Sequence, residues 1–376
     1  TVSPTDHPGS WTIRAGSLVG TIVTPDVRVL IRPKVESANL FHLLEAGRDP
    51  LEVGAEVFDY ETTRDMVPAF ATFFARHLER AVTRGLVRTY REQDEPLVGI
   101  RGRVNLRSQV NRGGLPLPVD CRFDEHTADT QLNRIIAGAL LRLARLPGVT
   151  TPTRRALLHL SPLFAEVLKA TRADLERPTS FTRLDAHFRP TEHLARLVLA
   201  GSSLVDATGQ AGAGSFLIDM NKVFERFVED RLRRYLRGTV DVRGQAPATL
   251  DTGKHIRMRP DLLMRKQGTD VYVADAKYKL TADGYGRESD YYQLLAYCTS
   301  LGLPEGMLIY CHHDGTLPPQ EAIARGPIGQ HLVSAAIRLD GTPAQLEGRM
   351  RELATDIGNR LAARPLGTAP STRRCN

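Results

Sequence analysis

The first segment of the chain carries hydrophobic residues in a pattern typical of short strands. Residues 11–23 and 27–34 are rich in β-branched side chains, and a turn-forming Thr-Pro-Asp sequence separates them. Between residues 65 and 86 the apolar positions recur at helical spacing until Gly85. The sequence therefore predicts a small β module followed by a helix.

A second region, residues 90–123, predicts short strands around a protruding hairpin. Its glycines and prolines at 111–118 break any helical ladder, so we expect this loop to be exposed. From residue 130 to about 200, helical patterns dominate, notably at 132–146 and 154–171. We interpret this stretch as a helical connector.

A glycine-rich sequence at residues 209–214 predicts a flexible joint, after which a new pattern begins. An amphipathic helix at 219–236 precedes several strands, including 257–265 and 270–279, then a helix and a further strand. We therefore expect a multidomain α+β or α/β protein. Its parts are an N-terminal β-rich region with one helix and the hairpin (1–125), the helical connector (126–208), and a C-terminal domain with a mixed central sheet flanked by helices and a disordered tail (209–376).

Composition narrows the class of protein. A chain of 376 residues with 41% hydrophobic residues can bury more than one core. Because no apolar run reaches the length of a membrane span and the first ten residues lack a signal-peptide pattern, we expect a cytoplasmic location and no membrane. The four cysteines lack CxxC spacing, which indicates free thiols. The charge of +7 is weak support for nucleic-acid binding, since arginine-rich chains often carry it.

Two acids and a lysine converge in the last predicted hairpin. Centring its turn on Gly268 places Asp261 opposite Asp275. Because residues two apart on a strand share a face, Lys277 projects on the same side as Asp275. Carboxylates at close range repel each other, and a divalent cation such as Mg²⁺, or Mn²⁺ in its place, resolves that conflict. Its waters can supply the nucleophile for phosphodiester hydrolysis, with Lys277 orienting or deprotonating the attacking water.

The alternative is that Asp275 and Lys277 are ordinary solvated charges, because Asp-x-Lys occurs by chance in most proteins. The apolar residues 271–273 argue against it, since they predict a central strand, where unpaired acids are costly. Glu225 lies at the border of the buried stripe of its helix. It either adds a carboxylate to the metal site or is a surface acid pairing with its neighbours, such as Arg226, and spacing favours the surface acid. Gln293 lies on the next helix, four residues before a tyrosine on the same face, and can reach a phosphate or the metal site.

These motifs, in this order, resemble the nuclease domain of the McrC family. The matching residues are 216–221, Phe224-Glu225, Arg259-Pro260-Asp261, Asp275-Ala276-Lys277-Tyr278-Lys279 and 290–297, and upstream Gly102-Arg103, 121–125 and 129–134. The similarity covers most of the chain. It implies a PD-(D/E)xK fold and a metal-dependent DNA endonuclease in which Asp261, Asp275 and Lys277 are catalytic, Glu225 and Gln293 assist, and Mg²⁺ is bound by Asp261, Asp275 and Glu225.

The resemblance also implies partners. In that family an AAA+ GTPase hexamer, McrB, recognises DNA carrying methylated cytosine, and the nuclease inserts part of its N-terminal region into the ring and stimulates GTP hydrolysis. The lack of a GxxxxGK[ST] phosphate loop in this sequence agrees. We expect the contact at Arg101, Arg103, Asn105 and Arg112, although an ordinary surface hairpin is the alternative. Double-strand cleavage further implies a second copy of the chain on the DNA.

Two other functions stay open. One makes the chain a non-catalytic activator of an AAA+ NTPase with a vestigial acidic site, against which the intact Asp, Asp, Lys set argues. The other is a PD-(D/E)xK nuclease of repair or recombination. Serine hydrolase chemistry is excluded because no GxSxG sequence lies between a strand and a helix. Residues 311–314, Cys-His-His-Asp, indicate a strand-end loop rather than a transition-metal site.

Overall fold

The computed structural model describes residues 2–4, 7, 11–13, 16–23, 28–33, 35, 37–45, 66–111, 113, 117–207, 215–278, 287–312, 320–325 and 329–363. The helices are α1 (Ser37–Leu44), α2 (Met66–Val82), α3 (Leu106–Asn111), α4 (Gln131–Arg145), α5 (Thr151–Leu160), α6 (Arg172–Glu176), α7 (Arg189–Ala207), α8 (Met220–Tyr235), α9 (Glu288–Leu301) and α10 (Pro343–Ala362). Among them, none combines the length and apolarity needed to cross a lipid bilayer.

The strands are β1 (Val2–Pro4), β2 (Trp11–Ile13), β3 (Leu18–Val23), β4 (Arg28–Ile31), β5 (Thr89–Leu97), β6 (Arg103–Val104), β7 (Val119–Thr127), β8 (Phe216–Asp219), β9 (Asp241–Gly244), β10 (Ala248–Thr249), β11 (Arg257–Met258), β12 (Leu262–Lys266), β13 (Thr269–Lys277), β14 (Glu305–His312), β15 (Gln320–Ile323) and β16 (His331–Arg338). The chain divides into two compact units. The first comprises Thr1–Val19, Ile31–Thr62 and Asp219–Asn376, and the second Gly20–Leu30 and Thr63–Ile218. The three-part division at residues 125 and 208 stays a prediction.

A six-stranded mixed sheet forms the core of the first unit, in the order β15-β16-β14-β13-β12-β9. The three central strands β13, β14 and β16 run parallel, and the others are antiparallel to their neighbours. Parallel neighbours need a crossover, which α9 supplies between β13 and β14. Helix α9 packs on one face through Leu294, Tyr297 and Cys298 against Leu263 and Val273. The predicted α+β architecture, with a mixed sheet flanked by helices, is confirmed.

Buried polar groups tie three helices of this unit together. The carboxylate of Glu347 in α10 contacts the Nε2 of His42 in α1 at 2.8 Å and accepts hydrogen bonds from Arg231 and Tyr235 of α8. Burial alone would raise the pKa of Glu347, but the His42 hydrogen bond and the Arg231 charge lower it to about 2. The sequence pattern missed α1.

Two predicted elements need correction. The continuous strand over residues 257–265 is wrong: β11 pairs with β10 in a separate two-stranded sheet, and β12 begins only at Leu262. The N-terminal β module is not self-contained, because β3 lies between β4 and β8, and β8 comes from a distant part of the sequence. The proposed joint at 209–214 and tail at 364–376 lie outside the described residues. The described cysteines Cys121, Cys298 and Cys311 are buried free thiols, as predicted.

In the second unit, β5, β6, α3 and β7 form an arm, residues 89–127. Strand β7 lies between β5 and β6, and nearly all β5 side chains are exposed on both faces. The β5 strand of the predicted hairpin is thus exposed, and α3 was not expected within it. Residues 112 and 114–116 of its Gly- and Pro-rich loop lie outside the described residues. Large apolar side chains at the arm's far end are 71–81% exposed: Val98, Ile100, Leu106 and Val110.

The base of the arm is fixed by the sequence motif at residues 129–134. The buried Asn133 side chain donates to Val87 O and Ala128 O, both at 2.7 Å, and so joins the two chain segments that flank the arm. Asp129 accepts hydrogen bonds from Arg134 and Arg91, and the Arg134 bond helps lower its pKa to about 2. This motif is therefore a structural clamp on the arm.

Candidate active site

The candidate site begins with the hairpin of β12 and β13. Its turn consists of Gln267 and Gly268, both with positive φ (50° and 85°), the geometry of a two-residue hairpin turn. Further along, the register shifts because Val271 is an extra residue in β13 without a partner in β12. Such a residue is a β-bulge, and it moves every later pairing by one position.

The bulge decides which side chains meet at the open end of the hairpin. Leu262 pairs with Ala274, so the next residues, Asp261 and Asp275, lie opposite each other. If Val271 were paired with a residue of β12 instead, Asp261 would face Ala274, whose side chain points to the other face of the sheet. Lys277 shares the face of Asp275 and forms an ion pair with it. The structure thus brings the three residues of the predicted motif together at the carboxyl end of β13.

Asp261 is held by both of its carboxylate oxygens. Oδ1 accepts a hydrogen bond from the side chain of Gln245 at 2.7 Å, and Oδ2 accepts one from the backbone of Ala276 at 3.0 Å. The backbone N–H of Gln245 also donates to Asp261 O at 3.1 Å. Gln245 adopts a φ of 50°, which non-glycine residues rarely do. Sequence reasoning missed Gln245, because no spacing rule connects it to Asp261.

Helix α8 adds Glu225 to this cluster. Arg226 pairs instead with Glu229 at 3.0 Å, and Glu225 interacts electrostatically with Asp275 and Lys277. The favoured interpretation of Glu225 as a surface acid pairing with Arg226 is therefore wrong, because α8 directs this side chain toward the end of β13. Burial raises the pKa of Glu225 to about 7, against the opposing charge of Lys277.

The charged groups of the cluster shift one another's pKa values. Burial, together with the charges of Asp275 and Glu225, raises the pKa of Asp261 above its ordinary range. Burial alone would lower the pKa of Lys277, but Asp275, Asp261 and the buried Asp290 raise it overall, so the ammonium group is charged at neutral pH. Asp261, Asp275 and Glu225 thus all interact with the Lys277 ammonium group.

Helix α9 supplies the remaining candidate. The side chain of Gln293 donates to the hydroxyl of Tyr297 at 2.7 Å, and that hydroxyl donates to Arg259 O at 3.3 Å, two residues before Asp261. Burial and the charge of Asp275 raise the pKa of Tyr297 to about 12, so the hydroxyl remains protonated. Gln293 is thus connected to the acid cluster through Tyr297.

The donor set suits a hard divalent cation. Asp261, Asp275 and Glu225 offer oxygen atoms alone, which Mg²⁺ and Mn²⁺ prefer. Asp275 Oδ2 is buried and contacts the Lys277 ammonium group. Three acids gathered around this single contact repel one another, and a divalent cation would offset that repulsion.

A family comparison agrees with the motifs that surround this site. Residues 13–311 match the family of McrBC 5-methylcytosine restriction system components, which is well over half of the chain. The chain belongs to this family. No curated protein sequence matches it.

Two solved structures similar to this McrBC-family chain come from Thermococcus gammatolerans. One is a half-complex from a tetradecameric assembly of McrB AAA+ hexamers with bound McrC; it is 21% identical, covers 91% of this chain and 83% of that chain, and has a TM-score of 0.47. The other is the McrBC complex; it is 25% identical, covers 58% of this chain and 67% of that chain, and has a TM-score of 0.43.

Three of the four residues predicted to contact a partner, Arg101, Arg103 and Asn105, lie on the arm of this McrBC-family chain. Arg103 is exposed, and the guanidinium group of Arg101 lies 4.2 Å from the ring centre of Phe123. Asn105 caps α3 by accepting a hydrogen bond from Ser108 N at 3.2 Å, so its side chain is engaged within the arm. Arg112 lies outside the described residues.

A second group of potential metal ligands lies elsewhere in the six-stranded sheet. Glu305, Glu321 and His331 have ligand atoms close together. The buried Glu305 already accepts a hydrogen bond from Tyr272 at 2.9 Å and pairs with Arg360 at 3.3 Å. These contacts explain the group without a metal ion.

Proposed function

We propose that the chain is the Mg²⁺-dependent DNA endonuclease subunit of a restriction system that acts on DNA with modified cytosine. The observation that carries the proposal is the meeting of Asp261 with Asp275, with Lys277 on the same face and Glu225 beside them. Burying acids this close together lowers the stability of the fold, so the arrangement indicates a functional role. Family membership supports the restriction system, and the site supports the chemistry.

Asp261, Asp275 and Glu225 would hold the cation. When bound, Mg²⁺ supplies a Lewis acid that polarises the phosphate and activates water for phosphodiester hydrolysis. The raised pKa values of Asp261 and Glu225 mean that the cation competes with protons for these carboxylates.

Lys277 acts as a fixed positive charge. Its carboxylate neighbours raise its pKa, which keeps the ammonium group charged. It is therefore suited to orienting the attacking water and to stabilising negative charge that develops on the phosphate. Gln293 and Tyr297 offer polar groups on the adjacent α9 surface, where they can position the same phosphate.

The proposed partner is an AAA+ GTPase hexamer of the McrB kind, the protein with which the similar archaeal McrC is assembled. The arm fits such a contact because its base is clamped by Asn133 while its far end exposes apolar and arginine side chains. Arg101 and Arg103 are the arm's candidate contacts. Asn105 and Arg112 remain candidates from the sequence, and Asn105 would have to leave its place at the start of α3. Cutting both DNA strands would require a second copy of the chain.

The test is cleavage of a cytosine-methylated plasmid with Mg²⁺, with and without the AAA+ partner and GTP. We expect cleavage by the wild type only when partner and GTP are present, and none by Lys277→Ala. Lys266→Ala, at the other end of the same hairpin, is the matched control and should cleave normally.

The partner's GTP hydrolysis separates the alternatives. If wild type and Lys277→Ala stimulate hydrolysis equally and neither cuts DNA, the chain is a non-catalytic activator. If the wild type cuts methylated and unmethylated DNA equally well without a GTPase, a nuclease of repair or recombination is the better description.

A further inference from the structure

A small basic hairpin, residues 248–259, stands at the edge of the candidate site. It consists of β10, β11 and the loop between them, followed by Arg259, and it connects β9 to β12. Gly244 at the end of β9 pairs with Leu262 at the start of β12. The connection therefore leaves the sheet at the end where Asp261 and Asp275 meet.

The basic hairpin has a defined shape. Asp251 accepts hydrogen bonds from His255 N (3.2 Å), from Ile256 N (2.8 Å) and, at 2.9 Å, from the His255 ring. Leu250 N donates to Ile256 O at 2.9 Å, and Lys254 adopts a φ of 60°. The single acid of the loop is thus occupied within the loop, and it leaves the other charges unneutralised.

Three cations project from this element. Lys254, Arg257 and Arg259 are exposed, and none forms an ion pair with any residue that the structure describes. Many other arginines of the same unit are paired with acids: Arg226, Arg231, Arg233, Arg243, Arg265, Arg338, Arg349 and Arg360. The contrast shows free positive charge gathered beside the acid cluster.

Anchoring contacts keep these charges near the site. Met258 packs against the core beneath α9, and Tyr297 donates a hydrogen bond to Arg259 O at 3.3 Å. A cluster of three carboxylates repels a phosphate backbone, so a nuclease site of this kind needs cations next to it to hold the substrate. The position, shape and free charge of the basic hairpin meet that need.

We propose that the basic hairpin binds the phosphate backbone of duplex DNA next to the bond that is cut, through Lys254, Arg257 and Arg259. The inference rests on the proposed nuclease function and adds the element that seats the substrate. Contacts to phosphates carry no base information, so the hairpin strengthens binding to every DNA sequence alike.

The test is binding of a fluorescent duplex by the whole chain in EDTA, which prevents cleavage, over a series of salt concentrations. For the combined Lys254→Ala, Arg257→Ala and Arg259→Ala variant we expect weaker binding to methylated and unmethylated duplex alike. The slope of log affinity against log salt should shrink by about 3, one for each lost phosphate contact. Lys254→Ala with Arg257→Ala, which leaves Arg259 beside Asp261 intact, should shrink it by about 2.

The control removes the same charge elsewhere in the unit, by Arg237→Ala, Arg243→Ala and Lys266→Ala. This variant should keep the wild-type slope, and all variants should melt near the wild-type temperature. If both triple variants lose affinity equally, the effect is general charge and the inference is overturned.

Cleavage then separates the two proposals. If the wild type cuts DNA and the hairpin variants bind the duplex normally, the proposed role of the basic hairpin is wrong and the nuclease proposal stands. If the wild type neither binds nor cuts DNA in the presence of partner, GTP and Mg²⁺, the nuclease proposal is wrong, and so is the role proposed for the basic hairpin.

Discussion

Replacing Gln245 with asparagine tests how Asp261 is held in the site. Asparagine tolerates positive φ, so the backbone N–H can still donate to Asp261 O. The shorter side chain cannot reach Oδ1, and the 2.7 Å hydrogen bond to the carboxylate is lost. Because that bond favours the ionised form of Asp261, its loss should make the carboxylate harder to ionise and less well placed for a cation.

The expected size follows from the type of bond. A hydrogen bond to a charged group contributes about 1.5–3 kcal/mol. The bond is present before the metal binds, so its contribution is the upper limit of the effect. Since about 1.4 kcal/mol corresponds to a factor of ten in an equilibrium constant, Gln245→Asn should weaken Mg²⁺ or Mn²⁺ binding by up to roughly a hundredfold. The bond from Ala276 N to Oδ2 remains, so binding should be weakened and not abolished.

Calorimetric titration of the metal into the isolated chain measures this directly, and a melting curve without metal checks that the variant folds. Gln267→Asn is a matched control, because Gln267 has the same φ of 50° but is exposed in the hairpin turn. A folded Gln245→Asn protein that binds metal as tightly as the Gln267→Asn control would show that Gln245 does not position Asp261.

Three further predictions concern protons and hydrogen bonds. Metal binding should release protons below about 7, the raised pKa of Glu225, and should tighten as pH rises to that value, because protons compete for the carboxylate there. Calorimetry in two buffers of different ionisation enthalpy measures the release, and a pH-independent affinity would contradict the prediction. Glu347→Gln should destabilise the protein by roughly 3 kcal/mol at neutral pH, because folding lowers the pKa of Glu347 from 4.5 to about 2. The ionised carboxylate stabilises the fold fully above about pH 4.5, and this stabilisation is lost as the pH drops through about 2. Urea unfolding should therefore show a difference between variant and wild type that shrinks in acid. Asn133→Ala should cost about 2–3 kcal/mol and speed amide hydrogen exchange in β5 and β7, and unchanged exchange there would refute the clamp.

The sequence predicted the sheet and the meeting of Asp261 with Asp275. The counting argument behind the acid pair, however, did not include the bulge that produces it. Counting from Gly268 places Asp261 opposite Asp275, whereas the actual turn is centred half a residue earlier. The bulge at Val271 restores the pairing. Alternation of side chains is visible in a sequence, but an unpaired residue inside a strand is not, because its cause lies in the partner strand.

Contacts between segments far apart in the sequence could not be predicted from local residue patterns. Gln245 lies sixteen positions from Asp261 and reaches it through a rare backbone conformation. The orientation of Glu225 depends on how α8 packs, which helical spacing alone leaves open between a surface and a site. The motif at 129–134 belongs to the pattern that resembles the family, and only the structure shows that Asn133 clamps the arm.

The hairpin of β12 and β13 makes the site sensitive to the number of paired residues in each strand. Inserting or deleting one paired residue on either side of the turn would move Asp261 out of line with Asp275 and onto the opposite face of the sheet, whatever the residue's chemistry. Deleting Val271 would leave every pair in place, because Val271 has no partner in β12. A length change among the paired residues therefore keeps the acids together only when a matching change in the other strand compensates for it.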